Sequence, residues 1–297
     1  MATPPNADLI LKRILPYIVD SSSHFQRPFV LGVTGPQGSG KSTLAASIVR
    51  ELAGTHGLRA AHVSLDDFYR NHDELSALRT ADPDNSLFRA RGHAGSHDES
   101  LAAKFFSDIK GQSGMVAIPS FDKSAFNGEG DRAPSQEWVQ LKLPVDVLVF
   151  EGWCLGFKAI SEDELQRQWE TAKALPKSTL ASQQLRHLKI VNENLRQYGE
   201  QFMGPRHFDC LIQLDTTDLS TVYQWRIEQE QSLRQQKGSG MTDDQVIRFV
   251  DGYMPAYELY LGRLRTEPFF RGDESKKGRH LQITLDADRS IVRTTVL

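Results

Sequence analysis

Apolar residues along the chain keep two alternating rhythms. FVLGV at 29–33, AAHVSL at 60–65, VDVLVF at 145–150, FDCLIQL at 208–214 and HLQITLD at 280–286 are short, dense apolar runs. Their length and β-branched content predict strands buried on both faces, with HLQITLD the last of them. Between them lie helical spacings. Leu9, Ile10, Ile14 and Ile18 predict a helix over 7–19 that Pro16 should kink or end early. A helix over 42–53 should stop at Gly54 and Gly57. Asn71 should cap a short helix, followed by an ADPDN loop. Ser96 with Glu99, Ser161 with Glu164 and Thr242 with Gln245 have capping-box spacing. They predict helices over about 98–110, from 161 to a stop at Pro176, and from 242 to about 264. Residues 178–200 are helical in pattern, and a helix over 218–236 should be broken by KGSG. MVAIP at 115–119 suggests a short strand, and 120–135, rich in Gly, Asp, Ser and Asn, a loop.

Strands alternating with helices predict an α/β fold, a mostly parallel sheet covered on both faces in three layers. No repeat or low-complexity linker divides the chain. It reads as a single domain over 1–297, with an N-terminal helix within about 1–27 and insertions at about 70–135 and 155–205.

Bulk properties narrow the function. The net charge of -3 over 297 residues gives no basic field, so no nucleic-acid partner is expected. The apolar runs are too short to span a bilayer, so no membrane association is expected. Cys154 and Cys210 lack metal spacing and are too few for a disulfide framework, which fits a reducing compartment. The first residues, MATPPNADLI, show no basic region before an apolar block. The expected location is cytoplasmic, with a nuclear pool left open.

GPQGSGKS at 35–42 fits G-x-x-x-x-G-K-[ST] in full, with a strand before it and a helix after. Glycines let backbone N–H groups converge on anionic oxygens, and the helix adds its positive end. Gly35, Pro36, Gln37, Gly38, Ser39, Gly40, Lys41, Ser42 and Thr43 are therefore candidate nucleotide contacts. Lys41 would act on the β- and γ-phosphates and the Ser42 hydroxyl on Mg²⁺.

In an open parallel sheet, ligands bind beyond the carboxyl ends of the strands. Two such ends carry acids: Asp66 and Asp67 in HVSLDDFY, and Glu151 in VLVFEGW. Each could hold the Mg²⁺ water shell or accept a proton from an attacking hydroxyl, and Asp67 could equally be a turn residue. A switch GTPase would need an N-K-x-D guanine reader, which the chain lacks. Phosphoryl transfer to a small molecule fits better. Arg226 and Arg234, eight residues apart, lie near one face of a helix that could close as a lid and offset charge on the transferring phosphoryl group. A solvated helix with ordinary Arg–Glu pairs would look the same.

GPQGSGKST, SLDDFY, RGHAGSHD, PSFDKSAFNGEGDRAP, FEGWCLGFK, VNENL, YQWR and GMTDDQV together resemble the D-glycerate 3-kinase family. Its broader relatives are phosphoribulokinase, uridine kinase and bacterial-type pantothenate kinase. The resemblance spans about residues 28–287. It implies a kinase-type P-loop fold with a central five-stranded parallel sheet and a helical lid, using ATP and Mg²⁺. By it, Asp66 matches the acid that acts as base toward the acceptor, Glu151 the acid after the second nucleotide-site strand, and Arg226 a lid arginine. Lys41, Asp66, Glu151 and Arg226 thus become the catalytic candidates, and Ser42 with Glu151 the metal candidates. The chain departs from the plant members at His93, where they carry asparagine, and a transit segment of their kind is not expected.

Glycerate carries one carboxylate and two hydroxyls, so it needs cations and hydrogen-bonding partners. Arg91, Lys123, Lys158 and Arg132 are candidate cations, and Tyr69, His93, His97 and Asp122 candidate partners; each could instead be a solvated loop residue, the reading preferred for Lys158 and His93. Phe68, Tyr69, Phe121 and Phe126 could instead wall a nucleoside acceptor. An ATP-binding regulatory protein without catalysis is the remaining alternative.

Overall fold

The structure, a computed structural model, describes residues 7–22, 27–175, 178–237 and 240–297. Its strands are β1 (Phe29–Thr34), β2 (Ala60–Ser64), β3 (Met115–Ile118), β4 (Phe121–Asp122), β5 (Asp131–Arg132), β6 (Val139–Lys142), β7 (Val147–Gly152), β8 (Cys210–Thr216), β9 (His280–Leu285) and β10 (Ile291–Val296). Its longer helices are α1 (Ala7–Ser22), α2 (Lys41–His56), α3 (His72–Ala81), α4 (Glu99–Asp108), α5 (Glu162–Ala172), α6 (Leu185–Tyr198), α7 (Thr221–Lys237) and α8 (Asp243–Asp251).

Five strands run parallel in the order β9-β8-β1-β7-β2, and β10 adds antiparallel to β9 at the edge. Successive side chains of a strand point to opposite faces. Leu31, Val33, Val147, Val149, Ile212 and Leu214 accordingly pack with α1 and α2. Val30, Leu148, Phe150 and Leu211 pack with α4, α6 and residues 253–270 on the other face. Both faces are therefore covered, and β1, β7 and β8 are buried along their whole length.

Several sequence expectations need correction. Helix α1 continues through Pro16 to Ser22, because Ile14 and Ile18 on either side are buried against the sheet. Burying such side chains is worth about 1.5–3 kcal/mol each, which offsets the roughly 3 kcal/mol an interior proline costs. Gly54 lies inside α2 and Gly57 alone ends it, at φ 64° with its N–H on the Leu52 carbonyl. Helix α4 is capped by Asp98, whose Oδ1 accepts from Leu101 N, and not by Ser96. Ser96 is engaged within its own loop, accepting from Gly92 N and donating to the His93 carbonyl.

The helix opened by Thr242 and Gln245 stops at Asp251, and helical turns resume over Met254–Ala256, Tyr257–Leu261 and Gly262–Thr266. The chain leaves the regular helical path at Gly252 and Tyr253, where Pro255 has no N–H to donate to the residue 251 carbonyl. Residues 120–135 hold a small hairpin, β4 with β5, rather than loop alone. A strand follows HLQITLD, since β10 is a half-exposed edge without a dense apolar run. The expected stop at Pro176 and part of the KGSG break, residues 238 and 239, lie outside the described residues, as do 1–6 and 23–26 of the N-terminal segment.

Candidate active site

The glycine-rich loop leaves β1 at Thr34 and re-enters helix at Lys41. Gly38 and Gly40 have φ of 78° and 90°, a left-handed geometry that costs L-residues energy and turns amides into the loop. Lys41 Nζ donates to the Pro36 carbonyl at 3.0 Å. Burial lowers its pKa, opposed first by the charge of Glu151 and then by that of Asp66. The Ser42 hydroxyl donates to Glu151 Oε1 at 2.9 Å, and Glu151 is buried at the end of β7. Ser39 Oγ and Gln37 Nε2 are buried without a hydrogen-bond partner among the described residues. Together these groups form a polar cradle with unspent donors, suited to polyphosphate oxygens. The paired hydroxyl and carboxylate are hard oxygen donors that fit Mg²⁺, which keeps waters and takes phosphate oxygens for the rest of its shell.

The turn Leu65–Phe68 follows β2 and is fixed by its own ends. Ser64 N donates to Asp67 Oδ2 at 2.8 Å while the Ser64 hydroxyl accepts from Asp66 N. Asp67 is thus a turn cap, and burial pushes its carboxyl up to about 6. Asp66 is left free of the turn and faces the cradle. Its Oδ2 lies 2.5 Å from Lys123 Nζ. Burial works to raise its pKa, but the Lys123 ammonium, with His97 and the Tyr69 hydroxyl, brings it below the usual carboxylate value.

Aromatic rings wall the other side. Tyr69 stacks on His97 at 4.4 Å and meets Phe121 edge-on at 5.1 Å. Arg91 lies over the Phe121 ring at 5.0 Å, its Nη1 donating to the Gly128 and Glu129 carbonyls. Arg132 Nη2 donates to the Tyr69 carbonyl and to Asp98 Oδ2. Asp122 Oδ1 accepts from the Ser124 amide and hydroxyl. His97 is fully buried, with Nδ1 3.1 Å from the Tyr198 hydroxyl, and burial lowers its pKa to about 3. His93 has Nε2 on the Gly252 carbonyl, and burial lowers its pKa to about 4. Both imidazoles are neutral near pH 7.

The RGHAGSHD loop is held from outside. The Tyr198 hydroxyl accepts from Gly95 N and His97 N, and Asn194 donates to the Ala94 carbonyl. The Tyr253 hydroxyl donates to the Arg91 carbonyl, and Trp153 Nε1 to the Gly92 carbonyl. At Gly92 (φ 140°) a Cβ would come within 2.3 Å of that tyrosine oxygen, so only glycine fits.

Helices α7 and α8 form the lid-like hairpin. Arg226 pairs with Glu230 at 3.3 Å, both largely buried, and lies over the Phe249 ring. Arg234 donates to the Met241 carbonyl and pairs with Asp243 at 2.6 Å. Both arginines therefore brace the two helices against each other.

Four residues at the cradle escaped the sequence reading. Trp225 is fully buried against Gly38. Arg289 Nε donates to the Gly38 carbonyl at 2.7 Å. Arg289 also pairs with Glu228 and lies over the Trp225 ring. The Tyr257 hydroxyl donates to Gln37 Oε1 and accepts from Gln37 N. Glu228 completes the brace. Only YQWR carried a local signal for any of them.

Thus Lys41, Ser42, Glu151, Asp66 and Lys123 converge, with Tyr69, Arg91 and His97 beside them. Lys158 does not join them; it donates to the Phe269 carbonyl. Phe68 is in the core and Phe126 stacks on His72. Segment 271–279 leads into the amino end of β9, opposite the cradle. Surface hollows around Glu162, Lys189 and Asn192, and around His72, Phe126 and Trp138, are not lined by Lys41, Asp66 or Glu151.

Residues 30–159 match the model of the phosphoribulokinase / uridine kinase family. An uncharacterized kinase of Schizosaccharomyces pombe, mug58, is 36% identical over 86% of this chain and 90% of its own. The chloroplastic D-glycerate 3-kinase of Arabidopsis thaliana is 35% identical over 89% of this chain, which spans 54% of that protein. The solved structure of D-glycerate 3-kinase from Cryptococcus neoformans superposes with a TM-score of 0.87 at 34% identity, covering 98% of this chain and 99% of that one.

Proposed function

The chain belongs to the D-glycerate 3-kinase family and is an ATP-dependent phosphotransferase, and from that premise we propose that it phosphorylates the 3-hydroxyl of D-glycerate. The observation that carries this reading is the convergence of Lys41, Asp66 and Lys123. A phosphate-binding ammonium, a carboxylate and a second cation act on one another in one cleft.

In this mechanism the loop amides from Gly38 to Lys41 and the start of α2 hold the β- and γ-phosphates. Lys41 exchanges the Pro36 carbonyl for a phosphate oxygen. Ser42 and Glu151 would hold Mg²⁺, which would supply positive charge to offset that of the phosphates. Asp66 accepts the proton of the 3-hydroxyl as that oxygen forms its bond to the γ-phosphorus. The bond from the γ-phosphorus to the β-bridging oxygen breaks, and ADP leaves. Arg226 would leave Glu230 when the lid closes and offset charge on the phosphoryl oxygens. Tyr69, Arg91 and His97 shape the acceptor side. Arg132 and Asp122 act there by holding the loops, and Arg234 by holding the lid, rather than by direct contact. The chain acts as a single domain in which 70–135 forms the acceptor side.

Purified protein incubated with ATP, Mg²⁺ and a panel of D-glycerate, uridine, pantothenate and ribulose 5-phosphate tests the proposal. ADP formation with D-glycerate well above the other acceptors supports it. ADP formation at background with D-glycerate rejects that substrate.

A further inference from the structure

Lys41, Arg91, Arg132 and Lys123 border the cleft. Lys41 belongs to the nucleotide loop. Arg91 spends Nη1 on two carbonyls of the β4–β5 hairpin loop, and Arg132 spends its guanidinium on the Tyr69 carbonyl and Asp98. Lys123 is different. It follows β4 directly, as the first residue of the loop that joins β4 to β5, and its Nζ rests on Asp66 Oδ2, the oxygen of the base itself. Its side chain is 59% exposed while that of Asp66 is 27% exposed, so the ammonium can leave toward solvent or ligand and the carboxylate cannot follow.

Resting on the glycerate reading above, we infer that Lys123 is a transferable counter-ion. At rest it blocks Asp66; the carboxylate of an incoming hydroxy acid draws it away, so only an anionic acceptor uncovers the base.

The surroundings of Asp66 support this division of labour. Its own turn supplies Asp67 and the Tyr69 hydroxyl, the loop before α4 supplies neutral His97, and the nucleotide loop supplies Lys41. Cys154, after β7, and Tyr253, after α8, are both buried, which raises their pKa values and keeps them protonated. Of the two ammonium groups acting on Asp66, Lys41 is assigned to phosphate, leaving Lys123 for the acceptor. A neutral polyol brings no charge to replace the ion pair, so it would leave Asp66 half-buried and uncompensated. A carboxylate replaces one charge-assisted bond with another, and the base, freed of its cation, becomes more basic as the acceptor arrives. Preference for acids over neutral polyols then follows from where one lysine is parked.

The test measures equilibrium binding of D-glycerate to the full chain with a non-hydrolysable ATP analogue and Mg²⁺, alongside turnover. Asp66→Asn removes the competitor for Lys123, so it should bind glycerate about threefold tighter than wild type while losing turnover. Lys123→Gln should bind about tenfold weaker or worse, with partial rescue in Lys123→Arg. The double variant should bind no tighter than Lys123→Gln. The ratio of glycerate to glycerol turnover should collapse in Lys123→Gln, while KM for ATP holds. Weaker or unchanged binding in Asp66→Asn, or unchanged binding and acceptor ratio in Lys123→Gln, overturns the inference. Wild-type turnover of D-glycerate separates the two claims: its absence removes both, and its presence with either overturning result removes this one alone.

Discussion

Alanine placed at two glycines, Gly38 and Gly54, should change stability in opposite directions. Gly38 sits in the nucleotide loop at φ 78°, and an added Cβ would lie 2.5 Å from Trp225 Cβ and 3.1 Å from the Trp225 carbonyl carbon. Holding an L-residue in that conformation costs about 1–2 kcal/mol. Relieving the overlap means shifting backbone and a fully buried tryptophan, at about 1–3 kcal/mol. Together these come to about 2–5 kcal/mol, or a melting temperature lower by about 3–8 °C for a chain of this size. The strain falls on the amides that should grip phosphate, so KM for ATP should rise about tenfold or more. Gly54 lies in the interior of α2, and a Cβ there meets nothing within 4 Å. Gly54→Ala should stabilise by about 0.5–1 kcal/mol and leave KM for ATP unchanged. Thermal unfolding with and without ATP, together with initial rates, reads both variants. A Gly38→Ala protein that melts within about 2 °C of wild type and binds ATP normally would refute the reasoning, because neither the left-handed geometry nor the tryptophan contact would then matter.

Three further predictions follow from the site. His97 titrates near 3 when folded against 6.5 when unfolded, so the unfolded chain binds the extra proton between these values and stability must fall as pH drops below 6.5. Between pH 7 and 5, wild type should lose about 1–3 kcal/mol relative to His97→Gln in urea titrations, and equal losses would exclude this burial effect. Arg226→Ala should lower kcat about 10²–10³-fold, whereas Glu230→Gln should mainly lower the melting temperature; matching kinetic losses in both would make Arg226 a brace only. Glu151→Gln weakens the charge-assisted bond from Ser42, worth about 1.5–3 kcal/mol, so the Mg²⁺ concentration at half-maximal rate should rise about tenfold or more, and an unchanged Mg²⁺ titration would remove Glu151 from the metal site.

What the sequence reveals of this molecule depends on how local each interaction is. The nucleotide loop is legible because its strand, glycines, lysine and helix lie within residues 29–56. The caps at Asn71, Ser161 and Thr242 are legible for the same reason, since each side chain bonds a backbone amide three residues on. Ser96 misleads because it and Asp98 both have helix-capping chemistry, and only the fold of the 92–96 loop claims the serine. Asp66 and Lys123 are each recognisable as chemistry, yet their pairing joins positions 57 apart and needs the β4–β5 hairpin, which a glycine-rich stretch conceals. Arg289 was beyond reach, because it meets Gly38 across 251 positions from a turn leading into a half-polar edge strand. Arg226 and Arg234 share a face as their spacing implies, but their partners are set by how α8 folds back.

Catalysis requires Asp66 to take the proton of an acceptor hydroxyl beside the nucleotide loop. Single-turnover phosphoryl transfer by Asp66→Asn, at saturating ATP, Mg²⁺ and D-glycerate, tests that most directly. The predicted result is a rate lower by about 10²–10⁴-fold with ATP affinity unchanged. A variant that transfers phosphate within about threefold of the wild-type rate would contradict it.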